Sequence, residues 1–151
     1  RIEETASDTL HIHTEIEIDA APETVWAILT DWEKLPEWSN SLVGLKGDFR
    51  LGGQVTVTVK LGIGQLTRDL KHKLIVFEDG RTFGWSDPFL PGMLDKHLYS
   101  VEPIAGGKSR FVQTDQVTGL GKYILGRPVA RTNMRTYIEF NRALKRRAED
   151  A

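Results

Sequence analysis

The feature that most constrains the fold is a change of hydrophobic period late in the chain. Between residues 54 and 119, short stretches such as QVTVTVKLG and SRFVQTDQVTG alternate apolar and polar residues and are separated by turn signals. This period of two is typical of antiparallel strands, and Asp79-Gly80 predicts a tight hairpin. After Gly119 the apolar residues recur at helical spacing, which predicts one long C-terminal helix with Pro128 at a kink or at its true start.

The N-terminal third adds one strand and two short helices. DTLHIHTEIEID alternates cleanly, AAPETVWAILTD has an early proline followed by an acidic residue, and WEKLPEW is a short helix or turn interrupted by Pro36. Strands grouped together, with helices at the ends, favour an α+β fold over a parallel α/β sheet. The long helix is the one predicted element able to cover an antiparallel sheet, and a cavity between the two would suit a small ligand.

Length and composition indicate one ordinary domain. The chain has 151 residues, no cysteine and a formal net charge of −1. We therefore expect a single domain over residues 1–151, with residues 1–8 as a flexible N-terminal segment. The charge gives no reason to expect a nucleic-acid partner, and no apolar run approaches the ~20 residues of a membrane span. The absence of cysteine fits a cytoplasmic location.

The order of these elements and several motifs resemble the START-like SRPBCC superfamily, and in particular its polyketide cyclase/dehydrase-like branch. The resemblance covers about Leu10 to Glu149. It is carried by IDAAPETVWAILTDWEKLPEWS, DGRTFGWSDPFLPGMLDKHLYSVEP, GGKSRFVQTDQVTGLG and NRALKRRAE. It implies a helix-grip fold, in which a curved antiparallel sheet of about seven strands wraps around the C-terminal helix. The superfamily includes enzymes, carriers and chaperone activators, so the fold leaves the function open.

The resemblance also implies which residues face the cavity. On one late strand, the inward set is Phe111, Gln113, Asp115 and Val117. On the preceding strand His97 and Tyr99 share a face, and a histidine beside a carboxylate in an apolar cavity is a candidate acid–base pair. We therefore take His97, Asp115 and Tyr99 as candidate catalytic residues. The alternative is that the polar groups of Asp115 and Gln113 satisfy buried hydrogen bonds and carry no chemistry.

Further residues are candidates for the wall of the cavity. The short second helix lies at the cavity mouth in this family, and the strand RTFGWSD and the loop Asp87 to Leu94 lie nearby, the loop being either a lid or an ordinary connection. Arg135 on the long helix either meets an anionic group of the ligand or belongs to a solvated basic face. The full set of candidate ligand-binding residues outside the two late strands is Trp38, Trp85, Phe89, Met134, Arg135 and Ile138.

No motif indicates a metal or an organic cofactor, and we predict none. His11 and His13 lie with Glu15 on one strand face, and two histidines at this spacing can share a metal ion. No third ligand is evident, however, and this face is the polar one. LGIGQLT and TGLGKY contain G-x-G without completing a nucleotide-binding pattern. There is also no G-x-S-x-G motif of a serine hydrolase.

The sequence supports three functional hypotheses. The first is an enzyme that holds a polyketide-, aromatic- or isoprenoid-like molecule and catalyses cyclisation or dehydration by proton transfer without a cofactor. The second is a carrier or sensor that binds such a molecule without changing it. The third is an interaction module of the chaperone-activator kind. In the first two the partner is a small hydrophobic ligand, and assembly as a homodimer is left open.

Overall fold

The computed structural model describes residues 1–4, 9–61, 65–90, 93–119 and 127–151. Within these residues, eight antiparallel strands form one sheet in the order β1-β2-β8-β7-β6-β5-β4-β3. The strands are β1 (Ile2–Glu4), β2 (Thr9–Ile18), β3 (Leu42–Gly47), β4 (Gln54–Lys60), β5 (Thr67–Glu78), β6 (Thr82–Leu90), β7 (Met93–Ile104) and β8 (Lys108–Thr118). The helices are α1 (Pro22–Leu29), α2 (Leu35–Trp38) and α3 (Arg127–Glu149), with a 3₁₀ turn at Ala105–Gly107.

A curved antiparallel sheet with a long C-terminal helix confirms the predicted α+β architecture. Strand β2 pairs with β8, so the first long strand of the chain lies beside the last. The predicted hairpin at Asp79-Gly80 joins β5 to β6, and Gly80 adopts a positive φ of 77° there. On β2, the predicted apolar face is the buried one, and the alternation follows directly from the two-residue period of a strand.

Two parts of the chain are more regular than the sequence predicted. Ile2–Glu4, expected to be flexible, pair with β2 as the short edge strand β1; residues 5–8 lie outside the described part. Asp87 to Leu94, expected to be a loop, mostly continues the β6–β7 hairpin, with Asp87 opposite Asp95 and Pro88 opposite Leu94. A register shift between Pro88 and Leu90 accommodates the proline, which has no N–H to donate.

Helix α3 begins at Arg127, so Pro128 marks its start and does not kink it. One stripe of the helix is buried against the sheet, and the other described side chains are half-buried or exposed, in agreement with the predicted helical spacing. The basic residue Arg135 lies on the exposed side. The buried stripe consists of Ala130, Tyr137, Phe140, Asn141, Ala143, Leu144 and Ala148.

The tryptophans of the N-terminal helices and of the turn between them pack against the aromatic core. Trp26 lies edge-on to Phe83, with ring centroids 5.8 Å apart, and its Nε1 donates a hydrogen bond of 3.0 Å to Asp79. Trp32 also lies edge-on to Phe83, at 5.3 Å. The ring of Trp38 is 5.0 Å from that of Phe140 on α3. These contacts attach α1 and α2 to the sheet and to α3, and Phe140 also belongs to the wall of a cavity between sheet and helix.

Gly84 allows β6 and β7 to approach each other beside a buried histidine. A Cβ atom built on Gly84 would lie 2.5 Å from the carbonyl oxygen of His97 and would also collide with the side chain of Leu98. Real Cβ atoms do not approach backbone oxygens so closely, so only glycine fits without a shift of the strands. The position of His97 therefore depends on a residue without a side chain on the neighbouring strand.

We expect Gly84→Ala to destabilise the protein by about 1–3 kcal/mol, the usual cost of forcing an extra group into a packed site. The measurement is the free energy of unfolding from urea denaturation. Ser86→Ala, on the same strand, is the matched control and should change that free energy by about 0.5 kcal/mol or less. Equal effects of the two substitutions would contradict the role assigned to Gly84.

Candidate ligand-binding site

A cavity of about 380 Å³ lies between the sheet and helix α3. Its volume falls within the range of small-molecule pockets. Much of the wall is apolar or aromatic, which suits a ligand with an apolar body. This part of the wall consists of Leu42, Val57, Val59, Leu70, Trp85, Tyr99, Tyr137 and Phe140.

Strand β7 supplies the polar centre of the wall. Asp95, His97 and Tyr99 alternate along the strand, and all three line the cavity. The register between β7 and β8, which the sequence left open, pairs His97 with Asp115 and Tyr99 with Gln113. The candidate residues of the two strands are therefore neighbours across one ladder.

A chain of buried hydrogen bonds connects His97 to the helix α3 and to strand β2. His97 Nε2 is 2.8 Å from Gln113 Oε1. Gln113 Nε2 donates to Asn141 Oδ1 at 2.6 Å and to the backbone oxygen of Tyr137 at 3.4 Å. Asn141 Nδ2 donates to Thr14 Oγ1 at 3.1 Å, and Thr14 donates back to the carbonyl of Gln113 at 3.4 Å. Together these bonds bind β2, β7, β8 and α3 into one network.

This network determines which nitrogen of His97 carries the proton. The backbone oxygen of Tyr137 accepts hydrogen bonds and cannot donate, so the amide nitrogen of Gln113 must face it. The amide oxygen of Gln113 then faces His97 and requires a donor, which makes His97 an Nε2–H tautomer. Nδ1 has no hydrogen-bond partner in the part of the chain that the structure describes. The neutral ring therefore keeps an unused lone pair.

Burial lowers the pKa of His97 below its ordinary value, because the charged imidazolium loses its hydration. The negative charge of Asp115 and the hydrogen bond to Gln113 act in the opposite direction and are weaker. At neutral pH the side chain is consequently uncharged. An uncharged imidazole with a free Nδ1 is able to accept a proton.

Asp115 is paired with Tyr137 and makes no hydrogen bond to His97. The hydroxyl of Tyr137 donates to Asp115 Oδ2 at 2.6 Å. Asp115 is fully buried, and its Oδ1 has no partner among the described residues. Burial, and secondly the charge of Asp115, raise the pKa of Tyr137 well above its ordinary value, so the phenol stays protonated. The predicted His97–Asp115 pair is thus replaced by two separate contacts, His97 with Gln113 and Asp115 with Tyr137.

Tyr99 is the aromatic neighbour of His97 in the cavity wall. Its ring stacks on that of His97, with centroids 4.3 Å apart, and it lines the wall. Burial raises the pKa of Tyr99 well above its ordinary value. Among the described residues no hydrogen-bond partner of this hydroxyl is found. A protonated phenol in this position is a hydrogen-bond donor for a polar group on a ligand.

Some of the predicted site residues line the cavity and others do not. Those in the wall are His97, Tyr99, Trp85 and Gln113. Those in the described structure but outside the wall are Asp115, Phe111, Val117, Trp38, Met134, Arg135 and Ile138. The side chain of Phe89 lies outside the described part of the chain.

The physical reasons for these positions differ. Phe111 and Val117 face inward, but neighbouring side chains cover them, so they are core residues. Trp38 packs on Phe140 and borders a separate surface groove. Met134 packs against the smaller of the two core clusters, which includes Leu10 and Ile12.

Sequence reasoning missed several residues of the wall. Tyr137 has helical spacing with the apolar residues of the long helix, and nothing in the sequence signals that its hydroxyl meets Asp115. Asp95 precedes His97 by two positions on the same strand face, a signal that would have identified it. His72 and Arg68 on β5 also line the wall, and the alternation along that strand points them to the same side.

The described residues contain neither a cluster of metal ligands nor a membrane-spanning helix. No group of three or more histidine, cysteine, aspartate or glutamate side chains is arranged to hold a metal ion there. His13 of the H-x-H-x-E series contacts Glu15 at 2.9 Å on the exposed face. In the same part of the chain, no helix is long and apolar enough to cross a membrane.

Comparison with known proteins gives one family and many structures. The family model described as "Polyketide cyclase / dehydrase and lipid transport" matches residues 9–149. No curated protein matches the chain in sequence. A START superfamily protein from Mycobacterium smegmatis is similar with a TM-score of 0.70 and 18% identity, covering 93% of this chain and 97% of that one.

Two further solved structures extend the comparison. A protein from Thermus thermophilus has a TM-score of 0.67 and 17% identity, covering 91% of this chain and 96% of that chain. The di-domain ARO/CYC StfQ from the steffimycin biosynthetic pathway has a TM-score of 0.71 and 14% identity, covering 94% of this chain and 51% of its own length. At these identities, the structures establish a shared fold.

We expect the free energy of unfolding to fall as the pH drops below about 6.5, because His97 takes up a proton more readily in the unfolded chain. The lowered pKa of folded His97 means that the unfolded state binds more protons in this window, so stability rises with pH there. The slope from one such group is at most about 1.4 kcal/mol per pH unit. Urea denaturation from pH 7.5 to 5 measures it. His97→Gln should flatten the slope; an unchanged slope in this variant would contradict the assignment.

We also expect long-range ¹H–¹⁵N correlation spectra to show His97 protonated at Nε2 and unprotonated at Nδ1. Gln113→Leu removes the acceptor that selects this tautomer, so a mixture of tautomers should appear. The variant should also lose about 1–3 kcal/mol of stability, since buried partners of the amide are left unsatisfied. Thr114→Val, on the other face of β8, is the control and should keep a single tautomer. An Nδ1–H tautomer in the wild-type protein would overturn the hydrogen-bond directions.

Proposed function

Since the chain belongs to the polyketide cyclase / dehydrase and lipid transport family, we propose that it binds a small, largely apolar molecule in the cavity and transfers protons on it through His97. The observation that carries the proposal is the buried Nε2–H tautomer of His97, which leaves Nδ1 as a base in an aromatic wall. The ligand class is that of aromatic or polyketide-like compounds with an enolisable carbonyl group.

The wall supports binding of such a molecule. Trp85, Tyr99, Tyr137 and Phe140 present ring surfaces, and aromatic rings pack on one another in offset or edge-on geometry. These residues are nearly fully buried, so an apolar ligand would lose its contact with water. The few polar groups in the wall would then orient the ligand.

The proposed chemical step uses two side chains. Nδ1 of His97 removes a proton from the carbon beside a ligand carbonyl, and the electron pair of the C–H bond moves to give an enolate. The hydroxyl of Tyr99 donates a hydrogen bond to the enolate oxygen. The enolate carbon forms a bond to a second carbonyl carbon of the same ligand, and the resulting alkoxide takes the proton back from Nδ1. The ring closes, and His97 returns to its neutral form.

A non-catalytic binding role is the second candidate, and the pairing of Asp115 favours it. A carboxylate hydrogen-bonded to a histidine often orients it and stabilises its charged form during catalysis. Here the carboxylate is hydrogen-bonded to Tyr137 and lies outside the wall. His97 has a neutral amide in place of an acidic partner. In a carrier or sensor, the same groups would only fix the orientation of the ligand.

Hydrogen exchange on a simple ketone separates the two candidates. The probe is 1-tetralone in D₂O, with binding measured by titration calorimetry and deuterium incorporation beside the carbonyl measured by NMR. We expect the wild-type protein to accelerate exchange and His97→Ala to lose about 10²-fold or more of that acceleration, as for a general base. Its affinity for the ketone should change far less. His13→Ala, on the exposed sheet face, is the control and should behave as wild type.

The outcomes are distinct. Binding without accelerated exchange in the wild-type protein would refute the catalytic proposal and favour the carrier or sensor. Acceleration that survives His97→Ala would show that another group is the base. If 1-tetralone does not bind, or binds equally well when Tyr99→Trp fills the cavity, the cavity is not the ligand site.

A further inference from the structure

Strand β5 contributes a positively charged side chain, that of Arg68, to the wall of the cavity. Leu74, His72, Leu70 and Arg68 occupy alternate positions and therefore the same face of the strand. Leu74 and His72 are buried, Leu70 is half-buried and Arg68 is exposed, so this face runs from the core to the solvent. His72, Leu70 and Arg68 all line the cavity. The inward face of β5 thus ends in a guanidinium group at the mouth.

On the neighbouring strand β4, burial also decreases from the core towards the solvent. In the β4–β5 ladder, Val55 pairs with His72, Val57 with Leu70 and Val59 with Arg68. Val55 and Val57 are buried, while Val59 is half-buried.

Lys60, the next residue of β4, also lines the cavity. The mouth therefore has two cations on adjacent strands, with apolar wall below them.

No described residue neutralises the guanidinium of Arg68. In the described part of the chain, Arg68 makes no ion pair and no side-chain hydrogen bond. Lys60 likewise makes no ion pair there. Among the described lining residues, Asp95 is the one acidic side chain, while Arg68 and Lys60 are cations. A partly exposed arginine keeps its hydration until a ligand arrives, and its planar donors match a carboxylate in bidentate geometry.

We propose that Arg68, assisted by Lys60, binds a carboxylate group of the ligand at the cavity mouth. The inference rests on the proposed function, because it requires that the cavity holds a ligand. It narrows the ligand class to amphipathic acids, with an aromatic or polyketide-like body against Trp85 and Phe140 and the acid group at the solvent end. Arg68 thus takes the role that the sequence considered for Arg135, which the structure puts on the exposed side of α3.

Two probes of the same shape test the inference. They are 2-naphthoate and 2-naphthamide, which share the ring system and differ in charge; binding is followed by tryptophan fluorescence and confirmed by calorimetry. We expect the wild-type protein to bind the carboxylate about fivefold more tightly than the amide at low salt, the upper range for a partly exposed ion pair. The preference should shrink as salt rises, because exposed charges are screened.

Variants locate the preference on one residue. Arg68→Gln should bind the two probes equally, and Arg68→Lys should retain part of the preference because it keeps the charge without the bidentate geometry. Lys71→Gln removes the same charge from the outward face of β5 and should keep the wild-type preference. Thermal denaturation checks that the variants remain folded, which is expected for exposed positions.

The other outcomes reject either the inference about Arg68 alone or the proposed function as well. Equal affinities of the wild-type protein for the two probes, or a loss of preference in Lys71→Gln as large as in Arg68→Gln, would overturn the inference. A wild-type protein that binds 1-tetralone but neither naphthalene probe would overturn the inference and leave the proposed function standing. A protein that binds none of the three would overturn both.

Discussion

The site depends on the hydrogen bonds made by the side-chain amide of Gln113. Its amide lies between β8 and α3, and it satisfies the imidazole of His97 on one side and Asn141 with a helix carbonyl on the other. Hydrophobic packing holds α3 against the sheet, and the fit of the side chains restricts its position. Buried polar groups with directional partners restrict it further, because any other arrangement leaves them unsatisfied. The same amide therefore fixes both the position of the helix and the tautomer of the histidine.

The network gives the cavity a polar part beside its apolar wall, because His97 and Gln113 belong to both. Near Phe83, the rings of Trp26 and Trp32 pack edge-on. The side chains of the network are held instead by directional hydrogen bonds. The cost is a stretch of buried polar atoms, one of which, Oδ1 of Asp115, is without a partner among the described residues. A protein selected for stability alone would be expected to replace such groups with apolar ones.

The sequence predicted the faces of the strands well and the contacts between them poorly. Alternation placed His97 and Tyr99 on one face of their strand, and Gln113 and Asp115 on one face of the following strand, because the two-residue period is local. Which of these residues meet depends on the strand register and on the rotation of α3, and both are set by pairings between distant parts of the chain. The same limit explains why Arg135 was considered and Arg68 was not. A basic residue on a helix stands out in a sequence, whereas the inward end of β5 is recognisable only once β4 lies beside it.

The pairing of β2 with β8 has a consequence for how the molecule forms. Thr14 and Gln113, whose side chain and backbone meet in this ladder, are 99 residues apart, and Thr14 and Asn141 are 127 apart. Contacts this distant must overcome a large loss of chain entropy before they stabilise anything, and folds rich in them assemble slowly. Until β8 and α3 are in position, β2 has no partner on that side and its apolar face is open to other chains. The network that defines the site thus consists largely of contacts between distant parts of the chain, and its formation is tied to the pairing of β2 with β8.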